Sequence, residues 1–373
     1  MELGLLPALG SGMAELQQSG QLSRFLDGYL PAYARAFDRV WYFSYLPEAL
    51  PAGTEAPARQ SVSVLAPRRA RPRLLRAVAM PLAHRGEFAR CAVLRVFQVT
   101  GVIPAILARA RWGTPFVTTY GFWYARLSQA GPSRLAKRVL ERVGLRLADA
   151  VIVPTRELGD HAATMAGRDR VHLIPNGVDL QRFAPRAEPT HDGGRILYVG
   201  RLSEEKNLGT LLQAVASIQA RRPTELVLIG DGPLRARLET EAHALGVKAE
   251  FLGVLDHREV PERLRQGDLF VLPSFTEGHP KVLIEAMACG LPCVASDCAG
   301  NRALVSDGDT GLLFDPTSVP ALGAALDRVL SDRELARALG RRARERVAPE
   351  YDLRLVVAEE IELLKRVARP PRR

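Results

Sequence analysis

Six short apolar runs in the second half of the chain alternate with segments of helical periodicity. The runs span residues 195–199, 226–229, 249–252, 269–272, 292–295 and 312–314. Strands that alternate with helices form parallel sheets, because each crossover helix returns the chain to the same end of the sheet. The pattern therefore predicts a doubly wound α/β domain, in which ligands bind at the carboxyl ends of the strands.

The segment after the fourth run carries the most chemistry. Residues 274–290 read SFTEGHPKVLIEAMACG, which predicts a loop and then a helix that begins near Lys281 and stops at Gly290. The start of a helix attracts phosphate, and carboxylates such as Glu277 and Glu285 accept hydrogen bonds from sugar hydroxyls. Together these features indicate a nucleotide sugar. The alternative is that both glutamates are surface charges.

Residues 277–290 resemble the double-glutamate motif of the retaining glycosyltransferases of family 4. Further segments resemble motifs of that family in the same order, namely 149–155, 174–179, 198–206, 228–233 and 308–314. The resemblance implies the GT-B fold, with two Rossmann-like, doubly wound parallel-sheet domains that face each other across a cleft. Residues 1–186 would bind the acceptor and residues 187–351 the nucleotide sugar. A C-terminal helix within residues 352–373 would pack back on the first domain.

The resemblance also implies roles for individual residues. In the family, the residues that match Arg201 and Lys206 bind the diphosphate. Glu277 would approach the donor sugar, which makes Glu277, Arg201 and Lys206 the expected catalytic group, and Glu285 would bind the ribose hydroxyls. The other expected donor-binding residues are Gly200, Gly230, Asp231, Gly278, His279, Pro280, Lys281 and Val282. No metal or other cofactor is expected, since the two fixed cations can stabilise the departing diphosphate.

Acceptor contacts are expected in the first half of the chain. The family has a glycine loop before its first helix, and Gly20 resembles that loop, with Gly10 and Gly12 as alternatives. Where the family usually has a histidine, this chain has Tyr120 followed by Gly121. A tyrosine hydroxyl donates a hydrogen bond but does not titrate near neutral pH. The aromatic run 120–124 predicts either a stacking platform or ordinary core packing.

Positive charge is concentrated in the first half of the chain. Residues 1–186 contain 25 basic and 13 acidic residues, a balance of +12, whereas residues 187–373 contain 26 and 28, a balance of −2. Such a half indicates an anionic partner, which could be a membrane surface, nucleic acid or an acidic glycan. The five arginines within 68–76 would contact lipid headgroups, or lie in a solvated loop. Nucleic acid is not expected, because the chain lacks a recognisable motif that binds it.

Composition adds two expectations about the environment of the protein. The sequence has no apolar run long enough to cross a bilayer, and its first residues lack a basic region like that of a signal peptide. These features predict a cytoplasmic location, either free or peripheral on the inner face of the cell membrane. The four cysteines are not paired as in metal or redox motifs, which predicts buried, reduced thiols.

The sequence therefore predicts a retaining glycosyltransferase. It would move a sugar from a UDP- or GDP-sugar to a glycan or lipid-linked acceptor, in the synthesis of a surface polysaccharide or glycoconjugate. Two alternatives remain open: a nucleotide-sugar epimerase of the same fold, and a degenerate transferase that serves as a partner protein. Release of nucleoside diphosphate only in the presence of an acceptor would favour transfer. The base, sugar, acceptor, linkage and oligomeric state are left open.

Overall fold

The chain divides into two α/β units, each built around a parallel sheet. The computed structural model describes residues 1–52, 54, 56–67, 72–122, 132–186 and 194–370, and of residues 56, 57 and 132–134 it describes the backbone alone. The first unit comprises Met1–Pro175 and Leu355–Arg373, and the second comprises Asn176–Arg354. The division between the units, after Pro175, lies eleven residues before the domain boundary expected between residues 186 and 187. The linker predicted over 185–194 falls mostly outside the described residues.

The first unit is built on a seven-stranded sheet with every neighbouring pair parallel. Its strands are β1 (Glu2–Leu6), β2 (Arg39–Phe43), β3 (Val62–Leu65), β4 (Cys91–Val96), β5 (Phe116–Thr119), β6 (Ala150–Val153) and β7 (Val171–Leu173). They lie in the order β3-β2-β1-β4-β5-β6-β7. Strands β4 and β6 are buried along their whole length, as the continuous apolar runs of a doubly covered parallel sheet require.

Helices connect these strands. They are α1 (Met13–Gln18), α2 (Leu22–Arg24), α3 (Leu30–Ala36), α4 (Ala56–Ser61), α5 (Arg73–Ala83), α6 (Arg85–Arg90), α7 (Ile103–Trp112), α8 (Pro132–Leu147) and α9 (Arg156–Ala166). A π-helical turn, Phe25–Tyr29, joins α2 to α3, and Pro31 lies in the first turn of α3. Because proline has no N–H to continue a helical ladder, the run is divided near this point. Helix α5 begins inside the arginine-rich segment 68–76, of which residues 68–71 lie outside the described residues.

The second unit is built on a six-stranded sheet, also parallel throughout. Its strands are β8 (Arg195–Val199), β9 (Glu225–Ile229), β10 (Ala249–Gly253), β11 (Leu269–Leu272), β12 (Cys293–Ser296) and β13 (Leu312–Phe314), in the order β10-β9-β8-β11-β12-β13. The helices are α10 (Leu208–Gln219), α11 (Arg235–Ala244), α12 (Val260–Arg265), α13 (Lys281–Ala288), α14 (Ala299–Arg302), α15 (Val319–Ser331) and α16 (Arg333–Val347). This is the doubly wound sheet that the six apolar runs predict.

A last helix, α17 (Leu353–Val367), carries a buried acid into the first unit. The Glu360 carboxylate accepts from Nε of Arg95 at 2.7 Å and from its Nη2 at 3.1 Å. Arg95 lies on β4, and its Nη2 also donates to Thr119 Oγ1 at 2.8 Å. The Tyr33 hydroxyl donates to Glu360 as well. Burial alone would lower the pKa of Arg95, but the charge of Glu360 raises that pKa above its ordinary value.

Two expectations from composition concern the thiols and the helices. All four cysteines are buried and free, as predicted. Among the helices that the structure describes, none combines the length and hydropathy needed to span a bilayer.

Candidate functional site

The predicted donor residues gather at the carboxyl ends of three neighbouring strands, β9, β8 and β11. Gly200 follows β8, Gly230 follows β9, and Ser274 follows β11. A Cβ on Gly230 would lie 2.0 Å from the carbonyl oxygen of Gly200, and the φ of Gly230 is +133°. Only glycine allows the two loops to approach this closely. The first two loops therefore run directly side by side at the edge where parallel sheets bind ligands.

Glu277 and Lys206 form an ion pair at this edge. Lys206 Nζ lies 2.6 Å from Glu277 Oε1, and the Ser274 hydroxyl donates to the same oxygen at 2.7 Å. The Lys206 side chain is 20% exposed and that of Glu277 is 9% exposed. The pair is thus partly withdrawn from water. Two opposite charges attract each other more strongly in such a place than on an open surface. The structure brings together two of the three predicted catalytic residues.

Asn207 fixes the turn that carries Lys206. Lys206 ends a 3₁₀ turn, Glu204–Lys206, and Asn207 follows it in the left-handed conformation with φ of 56°. Asn207 Nδ2 donates to the carbonyl oxygens of Pro273 at 3.2 Å and Pro316 at 2.8 Å. These bonds tie the lysine-bearing turn to the loop that holds Glu277. Asn207 received no role from the sequence, although asparagine is among the residues that accept left-handed φ most readily.

Arg201, the third predicted catalytic residue, is exposed in the loop after β8. Its carbonyl oxygen accepts from the Tyr198 hydroxyl at 3.0 Å, which fixes the backbone and leaves the guanidinium on the surface. Glu205 lies nearby, and the Ser203 hydroxyl donates to it at 2.6 Å. Burial alone would raise the pKa of Glu205, but the bond from Ser203 and the charge of Lys206 lower it below its ordinary value. Two cations and two carboxylates therefore share this edge.

Helix α13 begins directly beside the ion pair. Lys281 is its first residue, Pro280 precedes it, and no described side chain caps its first turn. The first amides of a helix lack acceptors within the helix and are suited to an anion. Gly300 allows the preceding loop to pack closely, because a Cβ there would lie 2.5 Å from the carbonyl oxygen of Glu277 and 2.8 Å from that of Gly278.

His279 is buried within the loop and held by Asn176. The amide nitrogen of Asn176 donates to His279 Nδ1 at 3.4 Å, and Asn176 Nδ2 donates to the carbonyl oxygen of His279 at 2.8 Å. The ring of Tyr351 lies 5.5 Å away, centroid to centroid. Burial, together with the charge of Lys281, lowers the pKa of His279 to about 3. His279 is therefore neutral at physiological pH and acts as an acceptor through Nδ1.

The low pKa of His279 predicts a loss of stability in mild acid. The unfolded chain binds a proton at this histidine below about pH 6.5, but the folded chain does so only near pH 3. The contribution of His279 to the free energy of unfolding is therefore complete above pH 6.5. It declines by about 1.4 kcal/mol for each pH unit below that value. Urea unfolding at pH 7 and pH 5 should show about 2 kcal/mol lost through His279.

The matched variants are His279→Asn, which keeps an acceptor but does not titrate, and His243→Asn, which changes an exposed histidine. Part of the acid dependence should disappear in the first variant and remain in the second. Equal pH dependence in wild type and His279→Asn would contradict the assignment.

Glu285, the expected ribose contact, lies in α13 and is only 2% exposed. His257 Nε2 lies 2.9 Å from Glu285 Oε1, and His257 itself is 4% exposed. The Phe183 ring lies 5.2 Å from the His257 ring. Among the described residues, His257 Nδ1 has no hydrogen-bond partner, which favours the tautomer that donates from Nε2 to the carboxylate. His257 was not predicted, because a single histidine in a polar loop gives no pattern.

The other predicted donor residues lie along the same loops. Asp231 is exposed, and its carboxylate accepts from the amide of Gly232 at 2.7 Å. Val282 is partly buried on the first turn of α13 and packs against the core of the second unit. The donor residues that the sequence predicts thus fall on the loops after β8, β9 and β11 and on the first two turns of α13. Whether they bind a donor stays a prediction.

The residues predicted to bind an acceptor are separate features of the first unit. Tyr120 is 0% exposed, lies in the core, and donates its hydroxyl proton to the buried Glu141. This placement matches the core-packing interpretation, and its hydroxyl has no surface to offer an acceptor. Gly121, which follows it, is partly exposed, and its role as an acceptor contact stays a prediction. Trp123 and Tyr124, also expected in a platform, lie outside the described residues.

Gly20 ends helix α1 and does not precede it. The amide of Gly20 donates to the carbonyl oxygen of Gln17 at 3.0 Å, and the amide of Gln21 donates to the carbonyl oxygen of Leu16 at 2.7 Å. The φ of Gly20 is +70°. This is the Schellman ending of a helix, in which glycine is favoured for its left-handed conformation. The glycines that do precede α1 are the alternatives, Gly10 and Gly12. There the amides of Met13 and Ala14 donate to the Glu48 carboxylate.

Two family models together match residues 28–346 of the chain. A sequence model of the family described as Glycosyl transferases group 1 matches residues 182–346, and one described as Glycosyltransferase Family 4 matches residues 28–182. A putative glycosyltransferase of Bacillus subtilis, EpsF, is 40% identical over 168 residues, which cover 41% of this chain and 43% of EpsF. A glycogen synthase of Mycobacterium tuberculosis is 31% identical over 263 residues, which cover 68% of this chain and 63% of that protein. The matched part of the chain thus spans between two fifths and two thirds of the length of these curated relatives.

Two solved structures resemble the chain over nearly all its length. The sucrose-phosphate synthase of Thermosynechococcus elongatus has a TM-score of 0.80 at 23% identity, and the alignment covers 98% of each chain. Anabaena HepE, solved in complex with UDP-glucose, has a TM-score of 0.78 at 19% identity, with 98% of this chain and 100% of HepE covered. At such low identity these likenesses concern the fold.

Proposed function

Because the chain belongs to the group 1 glycosyltransferases of family 4 and has their GT-B fold, we propose that it transfers a sugar from a nucleoside diphosphate sugar to an acceptor. The observation that carries this proposal is the cluster of Lys206, Glu277 and Ser274 at the carboxyl ends of the strands, next to the start of α13. The donor would be a UDP- or GDP-sugar. HepE has been solved with UDP-glucose, which makes uridine the first base to test.

In the proposed reaction, the residues of the second unit stabilise the leaving group. Lys206 and Arg201 would neutralise the diphosphate as its charge grows, and the first amides of α13 would donate hydrogen bonds to it. Glu277 would accept a hydrogen bond from the donor sugar, and Glu285 from the ribose. We propose that these cations serve where other enzymes use a metal ion.

We propose that transfer retains the anomeric configuration. The acceptor hydroxyl would attack the anomeric carbon from the face that the diphosphate leaves. The bond from that carbon to the phosphate oxygen breaks, the new glycosidic bond forms, and the acceptor proton passes to the departing phosphate oxygen. No protein base is needed for this step. His279 would be a weak base in any case, because burial lowers its pKa to about 3.

We further propose that the acceptor is a glycan or a lipid-linked glycan at the cytoplasmic face of the membrane. The excess of basic residues in the first 186 positions supports an anionic surface as the partner of the first unit. The likeness to a glycogen synthase of Mycobacterium tuberculosis supports a role in polysaccharide synthesis. Such an acceptor would be extended while its carrier stays in the bilayer.

The proposal predicts that one nucleotide stabilises the second unit. Thermal unfolding is followed with UDP, GDP, ADP and their common sugar conjugates. At a hundredfold excess over the dissociation constant, a ligand that binds only the folded state adds about 2.7 kcal/mol. The shift should disappear in Arg201→Ala and shrink in Glu285→Gln, a change that keeps the buried volume. It should persist in Arg237→Ala, which alters an exposed arginine of α11.

Two results would count against the proposal. If none of the nucleotides shifts the transition, the chain is better interpreted as a degenerate partner protein. If a nucleotide sugar binds but is converted without any acceptor, an epimerase becomes the better interpretation.

A further inference from the structure

Helix α5 exposes a stripe of large apolar side chains. Its outward residues, which recur at a spacing of about four and are 51–72% exposed, are Leu74, Leu75, Val78 and Leu82. Residues four apart lie on the same side of a helix. The opposite side carries Ala77 and Met80, which are buried in the core of the first unit. Large apolar side chains thus occupy the outward side of α5, which a helix on the surface of a globular unit normally keeps polar.

Helix α8 repeats this arrangement. Its outward residues, spaced four apart and 37–65% exposed, are Leu135, Val139, Val143 and Leu147. The side that faces the unit carries Leu145 and Glu141, both buried. Two helices that are far apart in sequence therefore present the same kind of apolar stripe to the outside.

The two stripes belong to one layer of helices. Ala77 of α5, Ala105 of α7 and Leu145 of α8 are buried in a single core, and α7 packs against both of the other helices. Neighbouring packed helices lie 8–10 Å apart, so the stripes are roughly 20 Å apart on one side of the sheet. Between them α7 exposes Leu107. The apolar groups thus form one broad surface.

Basic residues surround the exposed apolar side chains of α5, α7 and α8, and the acidic residue of these helices is buried. Helices α5, α7 and α8 contain two, two and five basic residues, nine in total, and one acidic residue, Glu141. Glu141 is buried. The exposed basic residues include Arg73, Arg111, Lys137, Arg138, Arg142 and Arg146. The surface is therefore apolar and positively charged at once.

We propose that the outer faces of α5, α7 and α8 are the surface by which this protein lies on an anionic lipid bilayer. Leucine and valine side chains would enter the boundary between headgroups and acyl chains, and arginines would contact lipid phosphates. Protein interfaces are depleted of charged residues at their centre, so a protein partner is a poorer match for a surface whose apolar groups are surrounded by cations. The proposal names the surface that the proposed membrane location needs, and its test does not depend on sugar transfer.

The charged part is tested by sedimentation with vesicles of phosphatidylcholine, either alone or with about 30 mol% phosphatidylglycerol, whose anionic headgroups attract basic segments. Wild type should bind the anionic vesicles, and more weakly as salt is raised. Arg138→Gln with Arg142→Gln should bind about 30-fold less, or about 2 kcal/mol for two cations. Arg337→Gln with Arg341→Gln, an exposed pair of the same spacing on α16, should change binding by less than about twofold.

The apolar part is tested by Leu74→Gln with Leu82→Gln, against Leu245→Gln in the second unit as control. The first variant should lose about tenfold or more in vesicle binding, and the control should not. The proposal is overturned if wild type does not bind anionic vesicles, or if the controls lose as much as the test variants. It is also overturned if lipid-free protein is a dimer that Leu74→Gln with Leu82→Gln dissociates, since a second copy would then cover the surface.

Nucleotide-induced stabilisation is measured on the same variants. It should be unchanged in all of them, because none of the substituted residues belongs to the loops after β8, β9 and β11. Failure of vesicle binding with a normal nucleotide shift rejects the membrane surface alone. Absence of the nucleotide shift in wild type rejects the proposed function and leaves the membrane result standing.

Discussion

Replacing Lys206 by methionine should lower the rate of sugar transfer by about 10²–10³-fold, or about 3–4 kcal/mol of transition-state stabilisation. Lys206 Nζ is held 2.6 Å from Glu277 Oε1, and the turn that carries it is fixed by Asn207. A cation fixed in this way needs no reorganisation as the diphosphate departs, which is why its loss costs more than that of a mobile surface charge. Initial rates of nucleoside diphosphate release at saturating donor measure the effect.

The control for this prediction is Lys248→Met. Lys248 pairs with Glu225 at 3.2 Å, but it is 74% exposed and lies at the opposite, amino-terminal edge of the same sheet. An exposed pair contributes only about 0–1 kcal/mol, so the rate should change less than about fivefold. Lys206→Arg should recover part of the activity. A Lys206→Met rate within about threefold of wild type would show that the lysine does not stabilise the leaving group.

Replacing Glu360 by glutamine should destabilise the first unit by about 3–5 kcal/mol. Glu360 is the carboxylate partner of Arg95, and both side chains are about 5% exposed. Glutamine keeps the volume but leaves the guanidinium with no opposite charge, and an uncompensated buried charge is costly. The thermal midpoint of the first unit should fall by roughly 10 °C, as measured by calorimetry.

Glu359→Gln, which changes the exposed neighbour on α17, is the matched control and should shift the midpoint by about 1 °C or less. Replacing both partners, Arg95→Met with Glu360→Leu, should restore much of the lost stability, since no buried charge remains. If Glu360→Gln and Glu359→Gln melt together, the buried pair does not contribute as argued.

The strands of the second unit could be predicted almost to the residue. The run expected at 226–229 forms β9, Glu225–Ile229, and the run at 269–272 forms β11. Strands buried on both faces of a parallel sheet are continuous apolar runs, so their signal is local. Helix α5 could not be predicted in this way. Its arginines and Pro81 suggest a loop, and the helix depends on burial of Ala77 and Met80 in a core that the local sequence does not reveal.

The candidate site was predictable as a set of loops but not as a set of bonds. Motif order and sheet topology place Lys206 near Glu277, although 71 residues separate them. The partners that orient the site, such as Asn207 and His257, follow no local pattern. Tyr120 was expected to contact an acceptor because it stands where the family usually has a histidine, with core packing as the alternative. Its partner, Glu141, comes from α8, and that contact turns the side chain into the core.

The pairing of Arg95 with Glu360 also sets an order of events during translation. The two residues are 265 positions apart, and the entire second unit lies between them in sequence. At 5–20 residues per second, roughly 13–50 s pass between the synthesis of Arg95 and that of Glu360. Through that interval the nascent first sheet holds a guanidinium whose carboxylate does not yet exist. Of the two units, the first is therefore the one whose synthesis starts earlier and whose folding is completed later.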